Sequence, residues 1–255
     1  MEPLFYFFTQ LSIIPVRNSP DDRSEMISQL LFGELGTCLE VKNDSWVKIK
    51  SAHDEYEGWI DPKQIIKISI HTFKEIYTNN QRQIVNQQTI QSNFGSITSF
   101  RGSFIKDGDY TFSVEKFTFS VSTDKNSTAQ SSMLNRVLAY ENTPYLWGGR
   151  TLAGIDCSGF TQSILREYDV ELPRDASQQF KLGTTVNYEN KQLGDLAFFK
   201  NKKENITHVG IVLDNNRIIH ASGRVKIDLL NENGIFSEEL KKQTHQLALI
   251  KRYLK

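Results

Sequence analysis

The chain of 255 residues is long enough for one large domain or several small ones with real cores. Its 30 basic residues balance 30 acidic ones and no long run of one sign occurs, which argues against a strongly nucleic-acid-binding or polybasic membrane protein. Two cysteines, Cys38 and Cys157, suggest neither a disulfide framework nor a cysteine-rich zinc site.

The aromatic-rich opening Pro3-Leu-Phe-Tyr-Phe-Phe8 follows Glu2, has no Lys or Arg before Arg17 and carries no convincing cleavage site, so it does not read as a secretion signal. No apolar run reaches the ~18 residues that cross a bilayer. A cytoplasmic location is the expectation. Residues 11–70 alternate β-like runs with turn clusters. Ser12–Arg17, Leu35–Val41, Trp46–Ile49 and Gly58–Ile60 are predicted strands, punctuated by Asn18-Ser-Pro-Asp-Asp22 and Asn43-Asp44. Such short strands predict a small barrel. The series Val16-Arg17, Leu31-Phe32-Gly33-Glu34, Trp46-Val47-Lys48 and Gly58-Trp59-Ile60 resembles a bacterial SH3 domain over residues 1–70. Trp46 and Trp59 are read as barrel core or rim, and Cys38 as core.

Residues 71–124 are read as a second SH3-like barrel. Phe94–Arg101, Ser103–Lys106 and Tyr110–Ser122 are strand-like, with a turn at Asp107-Gly108-Asp109. Gln81–Gln91 is polar and reads as a solvated helix or a loop. Ser122–Ser132 has the composition of a linker, and Met133–Tyr140 opens a third domain, residues 129–255, as a short helix.

That domain turns on Tyr145–Phe160, where glycines at 148, 149 and 154 let backbone pass close to other groups. After Cys157 the pattern becomes helical, with Phe160, Ile164 and Tyr168 at i, i+4 spacing. Asp156 is the predicted N-cap, so Cys157 falls in the first turn, where unpaired N–H groups and the helix dipole favour thiolate. A cysteine so placed is a candidate nucleophile if a histidine can reach it. Thr207–Leu213 and Arg217–Ala221 read as strands joined by Asp214-Asn215-Asn216. With a three-residue loop Gly210 faces His220, and His208 lies two positions along on the same face, within side-chain reach. A two-residue loop would separate the histidines. The roles then follow: Cys157 attacks, His208 takes its proton and His220 orients the imidazole. The same pair could ligate a metal, but no third ligand is evident; His53, His71 and His245 show no partner spacing. No metal or cofactor is expected.

Six motifs occur in order: Pro144-Tyr145-x-Trp147-Gly-Gly, Asp156-Cys157-Ser158-Gly159-Phe160, Leu172-Pro173-Arg174-Asp175, Gly194-Asp195-Leu196, His208-Val-Gly-Ile and Ile219-His220-Ala. Together they resemble the NlpC family of papain-like cell-wall peptidases, cysteine enzymes that cut γ-D-glutamyl bonds of peptidoglycan stems. The resemblance implies an α+β fold, a papain-like half-barrel packed on the cysteine helix behind one or two SH3-like barrels. Leu196–Lys200 and Gln246–Tyr253 would supply later strands, and Asp195 a turn carboxylate.

It further implies catalysis by Cys157, His208 and His220 on a small murein peptide. The Cys157 and Ser158 N–H groups would hold the oxyanion, with the Tyr145 hydroxyl as helper. Substrate contacts are implied for Tyr145, Trp147, Asp156, Ser158 and Asp175. In the subset resembling cytoplasmic murein-recycling enzymes, Asp175 meets the free amine of an N-terminal L-Ala, and the first SH3-like domain adds Glu25 and Tyr56. Apart from that role, Asp175 reads as an N-cap for Ala176–Phe180, and Glu25 and Glu34 as solvated charges. A monomer is expected, with neither nucleic acid nor membrane as partner. The competing readings are a cell-wall-binding SH3 protein and an endopeptidase acting on intact peptidoglycan.

Overall fold

A computed structural model describes residues 2–79, 88–103, 108–122, 132–214 and 216–254. The chain divides into two compact units, Met1–Thr128 and Ala129–Lys255.

The first unit contains β1 (Phe5–Thr9), β2 (Ile13–Arg17), β3 (Met26–Leu31), β4 (Leu35–Asn43), β5 (Trp46–Ser51), β6 (Glu57–Ile60) and β7 (Ile65–Ile68). They form one antiparallel sheet in the order β3-β2-β6-β5-β4-β1-β7. The aromatic opening is therefore strand β1. Phe7 packs into the barrel with Ile14, Val16, Cys38, Val47 and Ile60. Phe8, on the opposite face of the strand, packs with Phe32, Ile66 and Ile68. Both faces are buried at Phe7 and Phe8, which is why the strand lacks the polar alternation of a half-buried one.

Beyond the barrel come helix α1 (Ile70–Asn79) and strands β8 (Gln88–Ser92), β9 (Gly95–Ser99), β10 (Tyr110–Val114) and β11 (Phe117–Ser122), ordered β10-β11-β8-β9. This differs from the expected second barrel. Among the described residues the four strands make an open sheet, and its Ile90, Val114, Phe119 and Val121 join the Phe8 and Phe32 cluster instead of closing a separate core. The polar run at 88–91 is strand, because Gln88 and Ile90 point inward while Thr89 and Gln91 face out. The predicted strand 110–122 is a hairpin. Its turn lies at Glu115, which takes φ 53° without the glycine or asparagine that would have announced it. Residues 81–87, 104–107 and 123–131, which include most of the predicted linker and parts of a turn and two predicted elements, lie outside the described residues.

The second unit contains α2 (Met133–Leu138), β12 (Arg150–Thr151), β13 (Gly154–Ile155), α3 (Cys157–Arg166), α4 (Ala176–Gln179), β14 (Thr184–Val186), β15 (Leu196–Lys200), β16 (Ile206–Val212), β17 (Arg217–Ser222), β18 (Arg224–Asn231), β19 (Gly234–Ser237) and β20 (Lys242–Arg252). The sheet order is β14-β20-β15-β16-β17-β18-β19, with β20 pairing also to β19. The expected half-barrel is thus a closed ring of six strands: β20 is long, and register shifts in its pairings with both β15 and β19 let it bend from one edge to the other. The two faces of β15 serve two cores. Leu196 and Phe198 pack with Phe160, Ile164 and Val209, whereas Ala197 and Phe199 pack with Val212, Ile218 and Ile250. Asp195 is structural: its two carboxylate oxygens accept from Arg252 Nε and Nη2 at 2.8 Å each.

Candidate active site

Helix α3 begins where predicted. Asp156 is its N-cap, with Oδ1 accepting from the Gly159 N–H at 2.7 Å. Oδ2 accepts from the Gly148 N–H at 2.8 Å. Arg174 holds the same carboxylate from the other side, Nη1 to Oδ1 at 3.0 Å and Nη2 to Oδ2 at 2.5 Å, and Nη1 also donates to Ser158 Oγ at 2.9 Å. Both ions are buried. The carboxylate of Asp156 and the hydroxyl of Ser158, expected to meet substrate, are therefore engaged in holding the start of α3. The Trp147-Gly-Gly149 backbone lies directly on this first turn, since a Cβ at Gly159 would collide with the Gly149 carbonyl. Three motifs far apart in sequence so build one element: the seat of Cys157.

The three-residue loop register holds. Gly210 pairs with His220, Ile211 with Ile219, and the Leu213 N–H donates to the Arg217 carbonyl at 3.0 Å; Asn215 itself lies outside the described residues. Gly210 is needed here, because a Cβ would press against His220 Cβ and the Ile218 side chain. Across that gap His208 Nε2 and His220 Nδ1 share a hydrogen bond of 2.9 Å. His220 Nε2 in turn meets Asp228 Oδ2 at 3.1 Å. Asp228 was missed by sequence reasoning. A signal existed: the Ser222-Gly223-Arg224 turn pairs His220 with Lys226, which leaves Asp228 diagonal to His220 on the same face.

His245 also joins the site. Its ring stacks on His208 at 4.2 Å between centroids and 25° between planes. Its own Nδ1 pairs with Thr244 Oγ1 at 2.8 Å. Nothing local predicts this, because β20 reaches β16 only across β15. One ring nitrogen from each of His208, His220 and His245 lies within 4.8 Å of the other two, so the structure brings a third imidazole to the pair that the sequence did not reveal. One ion does not fit them as they stand. A metal sits ~2.0–2.1 Å from each nitrogen along a lone pair in the ring plane, and two stacked planes cannot both contain it until the rings part.

Burial sets the protonation states. It pushes the Cys157 thiol up to about 12, with the Asp156 charge adding to it and the backbone N–H groups of Val209 and Ser158 opposing. It pushes His208 well below 6.5, helped by His220 and His245. His220 is also lowered by burial, against the hydrogen bond to Asp228 that raises it. In place of the expected thiolate, burial favours a thiol at Cys157 and a neutral ring at His208, because desolvation of the charged forms outweighs the helix start. Burial also raises Tyr145, to about 12, with the Cys157 and Asp156 charges adding to it, so its hydroxyl keeps its proton and can donate.

Of the other predicted contacts, Trp147 is 59% exposed. Asp175 opens α4, but its carboxylate makes no capping hydrogen bond; its carbonyl accepts from Gln178 and Gln179. Glu25 and Tyr56 belong to the first unit, where the Glu25 carbonyl accepts from the Asn18 N–H and Tyr56 N–H donates to Asp54 Oδ1. In the same unit Glu34 is no solvated charge: it is buried and Oε2 accepts from the Leu31 N–H at 3.0 Å. Nor is His53 without partners, as its Nδ1 pairs with Ser51 Oγ at 2.7 Å and its Nε2 with Asp54 at 3.1 Å.

Comparison with known proteins agrees with this geometry. Residues 142–244 match the NlpC/P60 family, and residues 16–65 match the bacterial dipeptidyl-peptidase SH3 domain. A gamma-D-glutamyl-L-lysine dipeptidyl-peptidase of Bacillus cereus is 25% identical over 253 residues, covering 84% of this chain and 74% of that one. The probable endopeptidase NlpC of Escherichia coli is 40% identical over 97 residues, 37% of this chain and 63% of that protein. The crystal structure of an NlpC/P60 family protein from Bacillus cereus has the same fold, with a TM-score of 0.79 at 20% identity over 98% of this chain and 100% of that one. The chain carries an NlpC/P60 cysteine-peptidase domain preceded in sequence by a bacterial SH3 domain.

Proposed function

We propose that this chain is a cysteine peptidase of peptidoglycan peptides, and that it hydrolyses the bond between γ-D-glutamate and an L-diamino acid in free stem peptides with an N-terminal L-Ala, inside the cell, during murein recycling. The observation that carries the chemistry is the thiol of Cys157 at the start of α3, against the Val209 backbone beside His208. The relatives that span most of the chain and are named gamma-D-glutamyl-L-lysine dipeptidyl-peptidases support the bond cleaved.

As Cys157 Sγ attacks the γ-carbonyl carbon, its proton passes to the His208 imidazole. The negative charge moves to the carbonyl oxygen, where the Cys157 and Ser158 N–H groups can receive it; the next two N–H groups are already taken by Asp156. The amide nitrogen leaves with the proton from His208, giving a thioester and a free diamino acid. Water then gives a proton to His208 and its oxygen to the acyl carbon, and the thiol leaves with that proton. The test is turnover of L-Ala-γ-D-Glu-diaminopimelate, of the lysine peptide and of intact sacculi. Release of free diamino acid from the peptides, absent in Cys157→Ala, is expected. Cleavage of sacculi alone would move the enzyme to the wall.

A further inference from the structure

We propose that Asp228 is a positioning residue that fixes the tautomers of His220 and His208 in series, so that a bare lone pair of His208 is kept for the Cys157 thiol. The proposal rests on the peptidase reading only for its kinetic consequences; the tautomers themselves are a property of the free protein.

Asp228 is 2% exposed on β18. Among the described residues its carboxylate meets a backbone N–H, an ammonium and an imidazole nitrogen. Oδ1 accepts from the Glu238 N–H at 3.2 Å, and Oδ2 lies 3.4 Å from Lys226 Nζ and 3.1 Å from His220 Nε2. Burial pushes its carboxyl up, but the His220 hydrogen bond and the nearby cation more than offset this, so the group stays ionised. An ionised carboxylate can only accept. His220 must therefore carry its proton on Nε2, which leaves Nδ1 of the neutral ring as an acceptor. The partner of that Nδ1 is His208 Nε2 at 2.9 Å, which must then be the donor. A neutral imidazole has one proton, so His208 Nδ1 is bare. It is the only nitrogen of that ring left for a thiol, and it is in the state a general base requires.

The reverse chain is equally well hydrogen bonded between the two rings. With His220 protonated on Nδ1, His208 would accept at Nε2, hold its proton on Nδ1 and have no lone pair for Cys157. Nothing in the histidine pair chooses between the two. The choice is made by Asp228, at the far end. His245 lies against the face of His208 and not in its plane, so it fixes the ring without entering the chain. The ionisable groups around the relay are Cys157, His245, Lys226 and, through Lys226, Glu239.

The experiment labels the full chain with 15N-histidine and reads the Nδ1 and Nε2 shifts of His208 and His220 near neutral pH without substrate. The expected wild-type result is a proton on Nε2 of both rings; a proton on Nδ1 of His208 overturns the proposal. Asp228→Asn offers an amide that can donate to His220 Nε2. It should shift both rings toward the Nδ1–H form and slow alkylation of Cys157 by iodoacetamide. Loss of the carboxylate that directly orients a triad histidine costs about 10⁴ in kcat, and one imidazole further away a fall of about 10²-fold is expected, with KM within about twofold. Unchanged tautomers and alkylation in Asp228→Asn overturn the proposal. If that variant does not fold, the wild-type shifts decide. If wild type cleaves no murein peptide while tautomers and alkylation behave as stated, the proposed substrate is wrong and the relay stands.

Discussion

His245 lies flat on His208, ring centroids 4.2 Å apart, and neither ring can take a proton without placing charge against its neighbour. Burial and the charge of His220 push His245 down to about 4, and His208 falls well below 6.5. The unfolded chain binds these protons near 6.5, so it takes them up first as the pH drops. The stability tied to the neutral rings is present above that pH and is lost progressively towards about 4. Urea midpoints should therefore fall between pH 7.5 and pH 5. His245→Phe keeps a stacked ring without a titrating group, and its loss over that range should be smaller. Equal wild-type midpoints at the two pH values would contradict the buried neutral cluster.

The resting thiol gives a second expectation. With Cys157 pushed up to about 12 and His208 pushed down, the pair is neutral between those limits. Peptide turnover should show a broad plateau through neutrality, with an acid limb where the imidazoles charge. The ultraviolet difference between wild type and Cys157→Ser should show no thiolate at pH 7. A full thiolate signal there would restore the preformed ion pair that a helix start by itself predicts.

Arg174 and Asp156 form the structural counterpart of this chemistry. Breaking a buried pair by removing one partner costs about 3–5 kcal/mol, and here the orphan would be the carboxylate that also caps α3. Arg174→Met should lower stability by that amount and reduce turnover with it, because the seat of Cys157 loosens. Cys157→Ala, which removes the nucleophile and no ion, should unfold close to wild type. Equal unfolding midpoints for Arg174→Met and wild type would refute the clamp.

What the sequence disclosed was whatever a local pattern could carry. The cap at Asp156, the helix after Cys157 and the pairing of Gly210 with His220 follow from spacing and turn chemistry within one or two elements. Asp228 needed one more hairpin and was overlooked. His245 was out of reach, since its position depends on β20 crossing to a third strand and bending to close the ring. In the first unit β9, β10 and β11 fall within runs that read as strand, but β8 was hidden for another reason: Gln88, Thr89, Gln91 and Ser92 leave Ile90 as its one apolar residue, and such a run reads as loop. Glu34 and His53 show the same limit, polar residues that tertiary contacts bury.

The last prediction concerns which peptide is cut. Asp175 is the residue from which α4 starts, next to the Arg174 that holds Asp156. In the proposed reading it receives the ammonium of the substrate's N-terminal L-Ala. An ammonium buried without its carboxylate, or a carboxylate buried against an acetyl group, costs several kcal/mol. L-Ala-γ-D-Glu-diaminopimelate should therefore exceed its N-acetylated form in kcat/KM by about 10² or more. Asp175→Asn should lower the rate on the free-amine peptide and change the acetylated one little, which a double-mutant cycle reads as coupling between the two groups. Stems still joined to glycan carry no free amine at that end and should behave like the acetylated peptide. Equal rates on all three substrates would remove Asp175 from amine recognition and point to an endopeptidase of the intact wall.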